Sequence, residues 1–288
     1  MEFLQKHSKK GVAIALGFFD CVHLAHRRII ETTIEQAKER DLISSVLTFE
    51  GKVKSTDQIY DLSDRIALFK ELNVDSVLAI SFTPRFASLS PADFVDMLVC
   101  EYNCKLLVCG FDFKFGCNAS GNVSILYELC RNKGIDLIEI PSLIYDGEVI
   151  SSSRIKNLLI SGEIEKANEL LFVPYHVTDC VVEGRGEGHL FGFPTANFIP
   201  KSNVLLPKYG VYGTMCDING VKYKSVTNVG IKPSFNDDTV TIETFIDGFS
   251  ENIYNQKVTL YFYKRIRDTK KFDFPSELKD QIYLDMRW

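Results

Sequence analysis

Several short stretches of this sequence carry residue types spaced for phosphate chemistry. Gly188-His189-Leu190-Phe191-Gly192-Phe193-Pro194-Thr195-Ala196-Asn197 follows Gly184 and Gly186, so its backbone admits a ligand closely. Its last residues, Thr195 and Asn197, offer a hydroxyl and an amide oxygen, hard donors that Mg²⁺ accepts beside nucleotide phosphates. A second stretch, Gly17-Phe18-Phe19-Asp20-Cys21-Val22-His23-Leu24-Ala25-His26, sets two histidines three apart, on one face if the segment is helical. At a helix start they join free N–H groups that bind anions. Imidazoles there, neutral or protonated, donate to triphosphate oxygens and stabilise charge on a leaving pyrophosphate. A third, Ile150-Ser151-Ser152-Ser153-Arg154-Ile155-Lys156, is a hydroxyl cluster with cations close behind, which suits a phosphate. Each stretch also has a plainer reading: a turn-rich loop, two unrelated surface histidines or half of a metal site, and a helix cap.

The elements that must position these groups change character near Leu171. Before it, strands and helices alternate. Residues 12–19 form an apolar run, and 27–39 repeat apolar positions at helical spacing through Ile29, Ile30, Ile34 and Ala37. Strands are expected over 44–49, 76–82, 105–109 and 136–140, and helices over 63–72 and 123–133, the latter closed by Gly134. Ser90-Pro91-Ala92-Asp93 reads as a helix start. Such alternation implies a parallel sheet covered on both faces, with ligands at the carboxyl ends of its strands. The loop from Val108 to Gly116, with Gly110 and Asp112, lies at such an end, although an aromatic loop closing the core would read the same way.

After Leu171 the sequence turns β-rich over 176–183, 211–218, 221–228, 240–247 and 257–263. Asn219-Gly220 marks a two-residue hairpin. Closely spaced strands suggest a small barrel, and one helix over 275–286 closes the chain. The expected fold is thus α/β plus β, divided as 1–171 and 175–288 with the junction around Pro174.

Composition narrows the function classes. The 288 residues allow two domains with ample core. Hydrophobic content of 45%, charged content of 25% and a net charge of −5 without a basic block are those of a globular protein and do not favour a nucleic-acid partner. No apolar run reaches membrane-spanning length, and residues 1–10 lack a signal-peptide core. The eight cysteines form no Cys-x-x-Cys unit and read as thiols in a reducing cytoplasm.

Taken in order, the Gly17–His26, Val108–Gly116 and Ile150–Lys156 stretches resemble the nucleotidyltransferase domain of the bacterial bifunctional riboflavin kinase/FMN adenylyltransferases. The resemblance continues through Phe193-Pro194-Thr195-Ala196-Asn197, Gly210-Val211-Tyr212, Thr227–Phe235, Ile242-Glu243-Thr244 and Arg267–Phe272. It implies a Rossmann-like domain that adenylylates FMN to FAD and a riboflavin-kinase-like barrel that phosphorylates riboflavin to FMN, each using ATP. It further implies that Gly17, Phe18, Asp20, Gly110, Asp112, Ser152, Ser153 and Lys156 meet one nucleotide, with His23 and His26 catalytic. In the barrel it implies that Gly188 and Thr195 meet the other nucleotide, that Thr195 and Asn197 hold Mg²⁺, that Glu243 is the general base and that Arg267 contacts flavin or phosphate. Without the resemblance, Glu243 reads as an outward-facing strand carboxylate.

The sequence departs from the family pattern mostly in the first domain. Cys21 and Ala25 stand where glycines are usual, Thr48-Phe49-Glu50-Gly51 lacks the usual Pro-His-Pro, and Lys156 replaces an arginine, losing its bidentate fork. In the barrel, His189, Phe191 and Ser234 replace Arg, Leu and Thr. Two further expectations therefore stand beside the bifunctional enzyme: a kinase whose first domain no longer adenylylates, and a non-catalytic flavin- or nucleotide-binding regulator.

Overall fold

A computed structural model describes residues 1–288 apart from 52–56, 185–193, 202 and 234–237. The chain forms two compact units, Met1–Ser152 and Ser153–Trp288.

The first unit is built on a six-stranded parallel sheet in the order β1-β4-β3-β2-β5-β6. Its strands are β1 (Glu2–Phe3), β2 (Val12–Leu16), β3 (Ile43–Glu50), β4 (Ser76–Ser81), β5 (Cys104–Gly110) and β6 (Asp136–Ile140). Helix α1 (Leu24–Glu39) packs on β2, β3 and β5, while α4 (Pro91–Tyr102) and α5 (Val123–Lys133) pack together beside β5 and β6. With both faces covered, β2 is buried at every position, which is why it reads as an unbroken apolar run. Ser90 caps α4 through Asp93 N with Pro91 at the first position, and Gly134 ends α5 at φ 65°. Both ends agree with the sequence reading.

Helices α2 (Leu62–Glu71) and α3 (Pro84–Ala87) complete the alternation. The order decides where a ligand sits. β3 and β4 extend the sheet from one side of β2, and β5 then returns to its other side. The carboxyl ends of β2 and β5 therefore flank the topological switch point, the usual ligand crevice of such sheets. A hairpin of β7 (Ile144–Tyr145) and β8 (Glu148–Val149) turns at Asp146 and Gly147, φ 52° and 76°.

The second unit is an antiparallel sheet in the order β10-β13-β12-β11-β14-β9. Its strands are β9 (His176–Cys180), β10 (Thr195–Phe198), β11 (Gly210–Ile218), β12 (Val221–Pro233), β13 (Asp238–Ile246) and β14 (Lys257–Arg267). Just beyond β9, Val182 N–H donates to Asn197 O of β10 at 2.8 Å, so the two edge strands meet and the sheet curls into a barrel. Asn219 and Gly220, at φ 53° and 85°, make the expected tight turn between β11 and β12. Helices α6 (Ser152–Ser161) and α7 (Ile164–Leu170) precede the barrel, and α8 (Pro275–Asp285) follows it. The sequence reading placed α6 and α7 with the first domain. In the structure the compact unit containing the barrel begins at Ser153. The Asn168 side chain of α7 donates to Phe262 O and accepts from Tyr175 N, each at 2.8 Å, which ties this helix to β14. No helix among the described residues is long and apolar enough to cross a membrane.

Candidate functional site

At the end of β2 the chain turns sharply into α1. Phe19 and Val22 adopt φ of 53° and 44°, a left-handed conformation that is strained for a β-branched residue. Gly17 is required beneath this turn, because a Cβ there would come within 2.9 Å of the Phe19 ring. His23 is the N-cap of α1, and its Nδ1 accepts the His26 N–H at 3.1 Å. A nitrogen that accepts cannot hold the proton, so neutral His23 carries it on Nε2. The His23 and His26 rings stack with centroids 3.5 Å apart and planes 14° from parallel. Burial pushes His23 down from 6.5 to about 4. Burial, and then the neighbouring His23, holds His26 well below its ordinary value. Both imidazoles are therefore neutral N–H donors at neutral pH. His26 Nδ1 is buried without a hydrogen-bond partner among the described residues.

Gly110 ends β5 beside this helix; a Cβ there would lie 3.4 Å from both Ile29 Cδ1 and Asp112 Oδ1. Asp112 is exposed at the rim. On the far side, Cys21 Sγ donates to Ser152 Oγ at 3.8 Å. Ser152 opens α6, and Ser153 and Lys156 follow in its first turns, where main-chain N–H groups lack helical partners.

Asp20 sits inside the turn. It is only 2% exposed, and its Oδ1 accepts the Ile59 N–H at 2.8 Å. It is turned into the protein and orders the chain leading to α2. Behind it lies Arg65, a residue the sequence reading did not single out. Its guanidinium is fully buried and donates to Phe18 O at 3.0 Å, Phe49 O at 2.9 Å and the Thr48 hydroxyl. Thr48 Oγ1 itself donates to Phe18 O at 2.7 Å. Burial lowers Arg65 to about 10, opposed by the carboxylates of Asp20 and Asp61. This buried clamp fixes the ends of β2 and β3 from beneath, leaving the Gly17–His26 turn facing the crevice.

In the barrel, Thr195 and Asn197 lie on a strand, where the sequence suggested the end of a loop. Their neighbours Ala196 and Phe198 are buried, so Thr195 and Asn197 share the other face. Asn197 pairs directly with Glu243 of β13, and Glu243 pairs with Asn228 of β12. The three half-buried side chains thus form one row across adjacent strands, close enough to act on one ligand. Asn197 Nδ2 donates to Thr195 O at 3.2 Å, leaving its amide oxygen available as an acceptor. Gly184 is required here: a Cβ would come within 2.3 Å of Asn197 Nδ2. The Thr195 hydroxyl, the Asn197 amide oxygen and the Glu243 carboxylate form an all-oxygen set, the chemistry that suits Mg²⁺. Gly188 lies outside the described residues.

Behind this row, Ser225, Thr214, Thr227 and Thr244 form a buried hydroxyl chain at 2.7–2.9 Å that locks β11, β12 and β13 together. Arg267 at the end of β14 is committed to Asp285 of α8, with Nε 3.0 Å and Nη2 2.7 Å from Oδ2. Tyr283 of α8 packs edge-on against Phe245, on the same face as Glu243. Arg267 thus anchors the helix that borders the row.

A parallel-sheet domain with histidines at a switch point, followed by a barrel with an oxygen-rich cross-strand row, defines a class of two-domain phosphate-transferring enzymes. The family model for FAD synthetase matches residues 5–154, and that for riboflavin kinase matches residues 171–288. The bifunctional riboflavin kinase/FMN adenylyltransferase of Bacillus subtilis is 34% identical, covering 98% of this chain and 92% of its own length. The protein of the same name from Buchnera aphidicola is 31% identical over 98% and 94%. A crystal structure titled a macrolide-efflux protein, from Streptococcus pneumoniae, superposes with a TM-score of 0.88 at 26% identity, covering 100% of this chain and 97% of the other. The chain belongs to the bifunctional riboflavin kinase/FMN adenylyltransferase family.

Proposed function

We propose that this chain converts riboflavin to FMN in its barrel and FMN to FAD in its α/β domain, consuming one ATP in each step. The observation that carries this is the presence of both family domains, in order, on one chain, with an uninterrupted Asn197–Glu243–Asn228 row in the second.

In the kinase step Glu243 takes the proton from the ribityl hydroxyl, whose oxygen attacks the γ-phosphorus of ATP. ADP leaves, and the proton ends on the carboxylate and then in solvent. Phosphoryl transfer needs positioning and charge neutralisation more than covalent chemistry. Thr195 Oγ1 and Asn197 Oδ1 are the residues we assign to Mg²⁺, which when bound neutralises phosphate charge. Gly188 and Thr195 are assigned to ATP, and Arg267 to the flavin side through its hold on α8.

In the adenylylation step the FMN phosphate attacks the α-phosphorus of ATP and pyrophosphate departs. Neutral His23 and His26 supply N–H groups to the phosphate oxygens as charge develops there. Gly17 and Phe18 present backbone, Gly110 and Asp112 border the β5 side, and Ser152, Ser153 and Lys156 offer hydroxyls, N–H groups and a cation. Asp20 contributes by holding the turn. His26 Nδ1, buried without a hydrogen-bond partner among the described residues, favours an active site over a decayed one, since an intact core would not leave a buried polar atom idle. We assign the functional domains to 1–171 and 175–288, and we place the protein in the cytoplasm, with which eight cysteines outside any disulfide agree.

The test is incubation of the pure protein with riboflavin, ATP and Mg²⁺, followed by chromatographic separation of riboflavin, FMN and FAD. FMN followed by FAD is expected. FMN alone would leave the kinase and remove the adenylyltransferase; neither product would overturn both.

A further inference from the structure

The turn between β2 and α1 adds to its two histidines a donor that phosphate chemistry does not require, the Cys21 thiol. Cys21, His23 and His26 bring a thiol and two imidazoles together with their ligating atoms all within 4.8 Å of one another. We infer that these three residues bind a soft divalent ion, Zn²⁺ fitting best, and that its binding closes the adenylylation site while the kinase site keeps running. The closure rests on the adenylylation reading above; the binding does not.

Thiolate and imidazole are the donors zinc prefers, and three protein ligands with one water make a complete tetrahedral set. Cys21 is buried at the mouth of the turn beside Ser152 Oγ. His26 Nδ1 is a second, independent sign, a buried nitrogen without a hydrogen-bond partner among the described residues. The Thr195 and Asn197 oxygens of the barrel are hard donors and do not compete for such an ion.

Binding is balanced as follows. The Cys21 thiol releases its proton to solvent and its sulfur bonds the ion. His23 ligates through Nε2, so its proton moves to Nδ1 and the contact with His26 N–H is given up. The stacked rings hold their in-plane lone pairs in nearly parallel planes, so one ring must turn to converge on the ion. A lost cap and a rotated ring are minor against ion–thiolate bonding. Once both imidazoles hold the ion, they no longer present the same N–H groups to a triphosphate.

The experiment uses the full chain, stripped with a chelator and titrated with Co²⁺ as a spectroscopic stand-in for Zn²⁺. The expected result is a near-ultraviolet thiolate-to-cobalt band with the visible bands of tetrahedral cobalt, saturating at one equivalent and abolished by Zn²⁺. Cys21→Ser should lose the thiolate band, whereas a double Cys100→Ser, Cys180→Ser variant, altering the two exposed thiols, should keep it. In the activity arm, Zn²⁺ should suppress FAD formation from supplied FMN and spare FMN formation. Cys21→Ser should raise the half-inhibitory zinc concentration at least about tenfold, since even an outer partner of a ligand is worth ~10–100-fold. Absence of the band, or a band that survives Cys21→Ser, overturns the site. Failure of the adenylylation reading is distinguishable: the metal-free protein would make no FAD while the cobalt band still formed.

Discussion

The two proposed sites are built by opposite means. The turn assigned to adenylylation is buried, with left-handed Phe19 and Val22, stacked neutral histidines and an arginine clamp beneath. The row assigned to the kinase is a flat set of half-buried side chains on regular strands, aligned by register alone. A turn can be re-aimed by one residue, so Cys21 and Ala25 bear directly on it. A strand row is insensitive to its neighbours because a side chain moves to the other face only if the whole register slips. This contrast predicts that each activity fails separately.

The sharpest separation comes from Glu243→Gln. FMN formation should fall by about a hundredfold to ten-thousandfold, the scale of general-base catalysis, while adenylylation of supplied FMN is unchanged. Rates with each substrate, together with riboflavin binding by fluorescence, check this. A near-normal kinase rate would make Glu243 an ordinary strand carboxylate. The converse change, His26→Ala, should lower FAD formation by about tenfold to a thousandfold, as loss of one transition-state donor does. FMN formation should be spared. Equal loss of both activities would mean that the two units are not independent and would erase the contrast.

What the sequence disclosed follows the same divide between local and distant causes. His23 and His26 were legible because the end of an apolar run and a spacing of three place them at a helix start. Ser90, Gly134 and Asn219-Gly220 act within a turn of themselves and fell where expected. Arg65 was not legible: in sequence it is one basic residue of an amphipathic helix, and its burial is set by the distant carbonyls of Phe18 and Phe49. The only hint was an acid, Asp20, in an apolar stretch that would need compensation if buried. In sequence Thr195 and Asn197 look like the end of a loop, because β10 is four residues long and owes its existence to β13. That α7 leans on the barrel was not legible either, because Asn168 declares its partners only in three dimensions.

Acid should also divide the units. Burial depresses His23 in the first unit and His176 in the barrel from 6.5 to about 4 each. Between those values the unfolded chain binds protons that the folded chain refuses, so stability is complete above about pH 6.5 and is lost as pH falls toward about 4. Each group contributes a loss of about 3 kcal/mol at 1.36 kcal/mol per unit. The first unit carries His26 in addition, displaced in the same direction, so its stability should fall further. Calorimetry across this range should show the transition of the first unit moving down more than that of the barrel, with FAD formation lost before FMN formation. Equal displacement of the two transitions would count against the burial of the histidine pair.

The smallest expected effect tests whether Arg267 meets the flavin or only holds α8. The Arg267 side chain retains 23% exposure while its partner Asp285 retains 2%. Losing this charged pair should cost about 1–2 kcal/mol, below the usual range for charged hydrogen bonds because water replaces part of it. If Arg267 acts only through α8, Arg267→Lys and Asp285→Asn remove the same anchor, since Lys lacks the fork that grips Asp285. Both should then raise KM for riboflavin by a similar factor, at most about thirtyfold at 1.4 kcal/mol per decade, with kcat unchanged. If Arg267 also touches flavin or phosphate, Arg267→Lys should exceed Asp285→Asn and lower kcat as well. Steady-state kinetics of the two variants decide between an anchor and a contact, because only a contact distinguishes the loss of Arg267 from the loss of its partner.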